Sequence, residues 1–436
     1  MGKVVGVNNL SLGVMLDWEW KRWLESSTLQ ELAQDANFKL VRLFDARYQT
    51  DGSPDPCISW DDGTKTGVFD WTEVDELVQA IFNVGAEPLI CLGYWDLDTK
   101  YLPNGMATNP DTELPYAESW AAYCAAWVEH FDDVGLPVRY YEIVNEPYHY
   151  YGWDRSETVL MGNYADLYNA AVTAMKSLNP NLMISFDATT QKKALDYFLD
   201  HGLDIDFFDV HKYDGSTYTI TDAELLSRAE WYRFDESQNW YSIEDARSTW
   251  LSQRGEMLPV IFSEYNLNYV YETGTDPRIP QMLGAVWTAL VLRSSVTRSV
   301  DTMCYYLFAN SASKSQQKGG YGFGMVNLDD YQPWYPYYVQ EMVGNSLFVG
   351  DSLLEATSNS NDLRVLAWKH AGRTNVLLIC KIDEKRTVTF SGIAESMSIS
   401  WIDNTIPFTD ATLQTGLINP GESLQLNGYT VALLQS

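Results

Sequence analysis

Eight short apolar runs recur between Leu12 and Phe308, separated by helical patterns, and this alternation confines the chain to a parallel α/β architecture. The runs are Leu12–Leu16, Leu40–Phe44, Pro88–Gly93, Tyr140–Asn145, Met183–Phe186, Phe207–His211, Val260–Ser263 and Met303–Phe308. Asp70-Trp71-Thr72-Glu73 reads as a capping box, followed by apolar Val74, Leu77, Val78, Ile81 and Phe82 and by Gly85 as a stop. Similar amphipathic patterns cover Ala117–Phe131, Tyr164–Leu178, Ala194–Leu199, Glu244–Leu251 and Gln281–Val291. Trp20–Ala33 opens the series and Tyr337–Gly344 closes it. Eight strand–helix units closing on themselves make a (β/α)8 TIM barrel.

The rhythm changes near Asn345. Short alternating runs follow at Leu363–Trp368, Asn375–Ile382, Thr387–Phe390, Met397–Trp401, Ser423–Leu426 and Val431–Leu434. Turn residues separate them, as in Lys369-His370-Ala371-Gly372-Arg373 and Asn419-Pro420-Gly421. This pattern predicts a small C-terminal antiparallel β-sandwich. The expected division is a barrel over residues 1–345 and a sandwich over 346–436, with Val4–Val7 adding a strand to the latter. No Ser/Gly linker marks the junction, so rigid docking is expected.

At 436 residues and 46% hydrophobic, the chain can bury a sizeable core without disulfides or metals. The five cysteines are widely spaced and form no CxxC, so neither a zinc site nor a disulfide framework is indicated. The longest apolar run in a helical context, Met282–Leu292, is too short to span a bilayer. Met1-Gly2-Lys3-Val4 lacks a signal-peptide layout, which leaves both a cytoplasmic and a processed extracellular location open. A formal charge of −30 excludes a basic nucleic-acid footprint and repels anionic membranes. Its simplest role is a solvated, soluble surface. The aromatic fraction, 14% with 28 Tyr and 16 Trp, suits flat sugar faces and points toward an oligo- or polysaccharide partner.

Carboxylates at strand ends carry the chemistry. Glu146 follows the fourth run in Tyr140-Tyr141-Glu142-Ile143-Val144-Asn145-Glu146-Pro147, and Glu264 ends the seventh in Pro259-Val260-Ile261-Phe262-Ser263-Glu264-Tyr265-Asn266. Over the mouth of a barrel these two glutamates can flank one glycosidic bond. With carboxyls about 5–5.5 Å apart, one attacks the anomeric carbon while the other protonates the leaving oxygen. The acid needs a raised pKa, which repulsion from the other carboxylate is expected to supply, while the nucleophile stays ionised. Arg42, at the end of the second run, either favours the Glu264 anion or pairs with Glu142 in the barrel interior. Glu142 itself reads as a satisfied buried carboxylate. Asp17, Asp45 and Asp187 end further runs and offer carboxylates to sugar hydroxyls, with no spacing to rank them.

Asn145-Glu146-Pro147 after strand four, Glu264 after strand seven and an arginine on strand two resemble the pattern of glycoside hydrolase clan A, over roughly residues 10–345. That clan comprises retaining (β/α)8 enzymes with two catalytic glutamates on those strands. Ser263-Glu264-Tyr265-Asn266 is most similar to family 39, the β-xylosidases and their relatives. Asp206-Phe207-Phe208-Asp209-Val210-His211-Lys212-Tyr213 and Gly322-Phe323-Gly324-Met325-Val326, followed by Pro333 and Tyr335-Pro336-Tyr337-Tyr338, resemble that family too. The chain departs from it at Tyr148, where asparagine is usual. The resemblance implies Glu146 as acid/base, Glu264 as nucleophile and Asn145 on the sugar 2-hydroxyl. It implies His211 and Tyr213 beside Glu264 or lining the site. It places Tyr94, Trp95 and Phe308 on the subsite floor, with Trp334 adding to it. The implied activity is an exo-β-glycosidase or endo-β-glycanase, with no metal and no cofactor. Two other readings compete: a carbohydrate-binding barrel without turnover, and a metal-dependent barrel enzyme. The scattered histidines, without HExxH spacing, disfavour the second.

Overall fold

All eight apolar runs become strands of one parallel sheet in the computed structural model, which describes residues 2–44, 56–93, 102–152, 158–230, 239–271, 274–317, 319–392 and 395–436. Strands one to eight are Ser11–Met15, Leu40–Phe44, Glu87–Leu92, Tyr140–Ile143, Met183–Ser185, Phe208–Gly215, Val260–Asn268 and Thr302–Tyr305. Their neighbour order, five-four-three-two-one-eight-seven-six, is that of a barrel whose seam lies between strands five and six. Strand five has only three residues, so the seam has no regular ladder. It is held by Asp206, whose N donates to Ile184 O at 3.0 Å and whose Oδ2 accepts from Ile184 N at 2.8 Å, and by hydroxyls. Ser185 Oγ donates to Phe207 O at 2.6 Å, while Thr189 Oγ1 donates to Asp209 O at 3.0 Å and accepts from Asp209 N at 2.7 Å. The fold is a TIM barrel followed by a C-terminal sandwich.

Leu40, Leu89, Phe207, Ile261 and Cys304 pack together at the bottom of the barrel interior. A Cβ on Gly13 would lie 2.7 Å from both Cys304 Sγ and Leu40 O, so only glycine fits there. Two residues further along their strands, alternation puts Arg42, Asp209 and, above Tyr140, Glu142 on the same inner face, fully buried. Strand seven breaks this period. Ile261 pairs with Asp209 but Glu264 pairs with His211, so three steps on strand seven match two on strand six. Regular alternation from Ile261 would turn Glu264 outward. The extra residue turns it inward and leaves Tyr265 outside, where its hydroxyl accepts from Gln340 on the helix Tyr335–Gly344 at 2.5 Å.

Two of the expected helical features take another form. The predicted helix Trp20–Ala33 is two, Trp20–Glu25 and Ser27–Asp35, because Ser26 is extended and its hydroxyl accepts from Leu29 N to start the second. The capping box does not form. Asp70 accepts from both Thr72 N and Thr72 Oγ1, and the helix Thr72–Asn83 begins without a side-chain cap. An unanticipated hairpin, Cys57–Asp61 with Thr66–Phe69, follows strand two. All five cysteines are free and buried. Among the described residues no helix is long and apolar enough to cross a membrane.

The C-terminal part has a seven-stranded antiparallel sheet in the order Val4–Val7, Ser352–Leu354, Leu363–His370, Arg373–Cys380, Thr430–Gln435, Met397–Asp403 and Gln414–Ile418. A two-stranded sheet, Lys385–Thr389 with Ser423–Asn427, covers one of its faces. Alternation divides the larger sheet cleanly. Leu378, Cys380, Ile399, Ala432 and Leu434 enter the sandwich core. Leu366, Trp368, Leu377, Ile379 and Leu433 join the core of the barrel. Helix Met282–Thr297 is buried all round where these two parts meet, which is why its sequence lacks a polar face.

Candidate active site

The top of the barrel interior is built around Arg42. Its Nε and Nη2 donate to Glu142 at 2.6–3.0 Å, its Nη1 to Glu264 Oε1 at 2.7 Å, and its Nη2 also to Asn145 Oδ1 at 2.8 Å. Both sequence readings of Arg42 therefore hold together. One planar guanidinium bridges a structural carboxylate below and a site carboxylate above. The other oxygen of Glu264, Oε2, accepts from Tyr213 Oη at 2.6 Å.

Glu146 brings an oxygen within 4.8 Å of one of Glu264 and sits on left-handed backbone (φ 49°) just before Pro147. His211 Nδ1 donates to its Oε1 at 3.0 Å, and His149 Nε2, one turn along, lies 3.3 Å from its Oε2. His211 Nδ1 also lies 3.4 Å from Asp187 Oδ2 and 3.6 Å from Glu264 Oε2. An oxygen of Glu146, a ring nitrogen of His211 and an oxygen of Glu264 all fall within 4.8 Å of one another. Among the described residues this trio alone has three donors close enough to hold a metal ion.

The electrostatics correct one expectation. Burial raises the Glu146 carboxyl, but hydrogen bonds from His149 and His211 and the charge of His211 outweigh it, and Glu146 is held below the usual range. Burial lowers His211, but Asp187, Glu264 and Glu146 outweigh it and lift the imidazole to about 10. These two shifts describe one proton, placed on the nitrogen of a 3.0 Å nitrogen–oxygen pair. The predicted repulsion between the two glutamates is intercepted by the histidine between them. Asp187 is raised to about 8 by burial, and Asp17 to about 7 by burial, against a bond from Tyr306 Oη at 2.9 Å.

Six predicted residues thus converge: Arg42, Asn145, Glu146, His211, Tyr213 and Glu264. Two do not. Phe308 is 1% exposed and packs edge-on against Phe38, because strand eight ends at Tyr305 and the chain then turns away. Trp334 is 2% exposed and packs against Tyr321 and against Phe408 of the C-terminal part. Tyr94, Trp95 and Asp45 lie outside the described residues. Sequence reasoning missed Tyr306, whose ring lies 6.3 Å from that of Tyr213. It also missed His149, for which the three-residue spacing from Glu146 was the available signal.

This architecture recurs in solved enzymes. A family 39 β-xylosidase from Caulobacter crescentus superposes with a TM-score of 0.66 at 16% identity, over 100% of this chain and 97% of that one. A family 39 glycoside hydrolase from Bacteroides cellulosilyticus gives 0.66 at 18%, over 98% and 81%. The chain has the fold of these glycoside hydrolases. An α-L-arabinofuranosidase from Thermotoga maritima shares it less closely, at a TM-score of 0.61 and 14% identity over 94% and 89%. No protein-family description matches the sequence, and no curated protein does either. The family 39 likeness read from the strand-seven motif, the strand-six segment and the Gly322–Val326 stretch is met in this fold.

Proposed function

We propose that this protein is a retaining glycoside hydrolase acting on β-linked glycans, with Glu264 as nucleophile and Glu146 as acid/base. The observation that carries this reading is the approach of an oxygen of Glu146 and an oxygen of Glu264 to within 4.8 Å at the strand ends. That separation suits double displacement, whereas inversion needs room for a water between carboxyls about 6.5–9.5 Å apart. Arg42 and Tyr213 hold the two oxygens of Glu264 and stabilise its anion for attack. As the bond to the leaving oxygen breaks, Glu146 passes on the proton it shares with His211. Esterification then removes the charge of Glu264. With the shared proton gone, Glu146 takes a proton from the incoming water and restores the pair. Asn145, whose Oδ1 is occupied by Arg42, keeps its amide nitrogen as the donor for a sugar hydroxyl. A formal charge of −30 favours neutral glycans over uronates.

A panel of aryl β-glycosides and polysaccharides tests the activity. Glu264→Ala is expected to abolish turnover, and added azide or formate to restore part of it with inverted product. Full activity in that variant ends the proposal. Sugar binding without any bond cleavage by the native protein indicates the non-catalytic barrel instead, and activity lost to chelators indicates a metal enzyme.

A further inference from the structure

Asp187 lies two residues beyond strand five and is 1% exposed. Its Oδ2 is buried and makes no hydrogen bond, yet lies 3.4 Å from the same His211 Nδ1 that donates to Glu146. A buried carboxylate oxygen without a donor is costly, so this arrangement calls for an explanation. We propose that Asp187 is a positioning residue that decides, through His211, whether Glu146 carries the catalytic proton. Neutral Asp187 leaves His211 with less negative charge around it, and the shared proton is available to Glu146. Ionised Asp187 stabilises the imidazolium and keeps the proton on nitrogen. Asp187 thus switches the acid off as pH rises, without touching substrate.

The surroundings agree in sign. Asp187 is faced by Glu142 and Glu146 from strand four, His211 and Asp209 from strand six and Glu264 from strand seven. The phenols of Tyr148, Tyr151 and Tyr164 approach from the helices above and outside. One imidazolium faces four other carboxylates, so a protonated Asp187 is favoured at neutral pH, and burial lifts it to about 8. Its folded value is raised, so the neutral form dominates below that pH and is lost above it.

This inference rests on the hydrolase reading, and its test separates the two. Asp187→Asn fixes position 187 in the neutral state. With no ionisation left at position 187 to turn the acid off, the alkaline limb of kcat/KM is expected to move to higher pH, with the acid limb in place. An active variant with an unmoved alkaline limb overturns the inference. Native protein labelled in its five histidines offers a measurement independent of that variant's folding, with the His211 signal assigned from His211→Gln. The His211 ring nitrogens should show a chemical-shift inflection near the ionisation of Asp187, and a flat trace from pH 6 to 10 on the scale of these titrations sinks the idea. A native protein that cleaves no glycoside sinks the hydrolase reading instead, whatever the histidine trace shows.

Discussion

Arg42 and Tyr213 grip opposite oxygens of Glu264, at 2.7 and 2.6 Å, so the carboxylate has little rotational freedom. Removing the phenol oxygen in Tyr213→Phe keeps the ring contacts with Tyr269 and Tyr306 and deletes only that bond. A hydrogen bond to a charged group contributes about 1.5–3 kcal/mol, so kcat/KM should fall about ten- to a hundredfold, with stability lowered by no more than that amount. Steady-state kinetics with urea unfolding of the same sample checks it, and an unaltered kcat/KM would reduce Tyr213 to packing. At this scale most of the site was legible, because polar residues at the ends of apolar strands have few structural reasons to be there. Phe308 and Trp334 were misread for the converse reason. An apolar side chain looks the same in sequence whether it meets a sugar or another ring, and burial decides which.

Elements carried information that residue types did not. The eight strands could be read from their apolar runs, but the inward aim of Glu264 could not, since regular alternation from Ile261 sends it outward. Its place at the strand end gave it away, and the bulge is the physical reason that place works. The seam is a second feature hidden from pattern reading. Three residues of strand five cannot make a ladder with strand six, and Thr189 substitutes by bonding both backbone groups of Asp209. Thr189→Val keeps the shape and removes the hydroxyl, leaving a buried N–H and C=O to find other partners. The expected cost is about 1–3 kcal/mol, read as a lower urea midpoint with an unchanged slope. Because Asp209 lies two residues before His211 on the same strand, activity should fall as well. A variant as stable as the native protein would mean that the bonds from Asp206 and Ser185 hold the seam without Thr189.

The two parts of the molecule are joined more closely than the change of rhythm near Asn345 suggests. The N-terminal strand Val4–Val7 pairs with Ser352–Leu354, so the chain leaves the larger sheet, builds the barrel and returns. Helix Met282–Thr297 is apolar on every side because the barrel covers one face and the sheet another. Arg293 Nε donates to Val365 O at 2.9 Å, and Tyr335 Oη to Asp403 O at 2.7 Å. Arg364 and Lys381 both reach Glu230, on the barrel side, within 3.0 Å. An apolar interface tied by buried bonds to backbone carbonyls opposes independent motion. The whole chain should therefore unfold in one calorimetric transition, although its length alone would allow two. A chain ending at Asn345 would expose the outer face of helix Met282–Thr297 together with Tyr335, and it should aggregate instead of accumulating as a folded barrel. Two resolved transitions, or a soluble and active barrel without the sandwich, would show that each part holds its own core. In that case the shared face would be a docking contact, and the apolar character of this helix would need another cause.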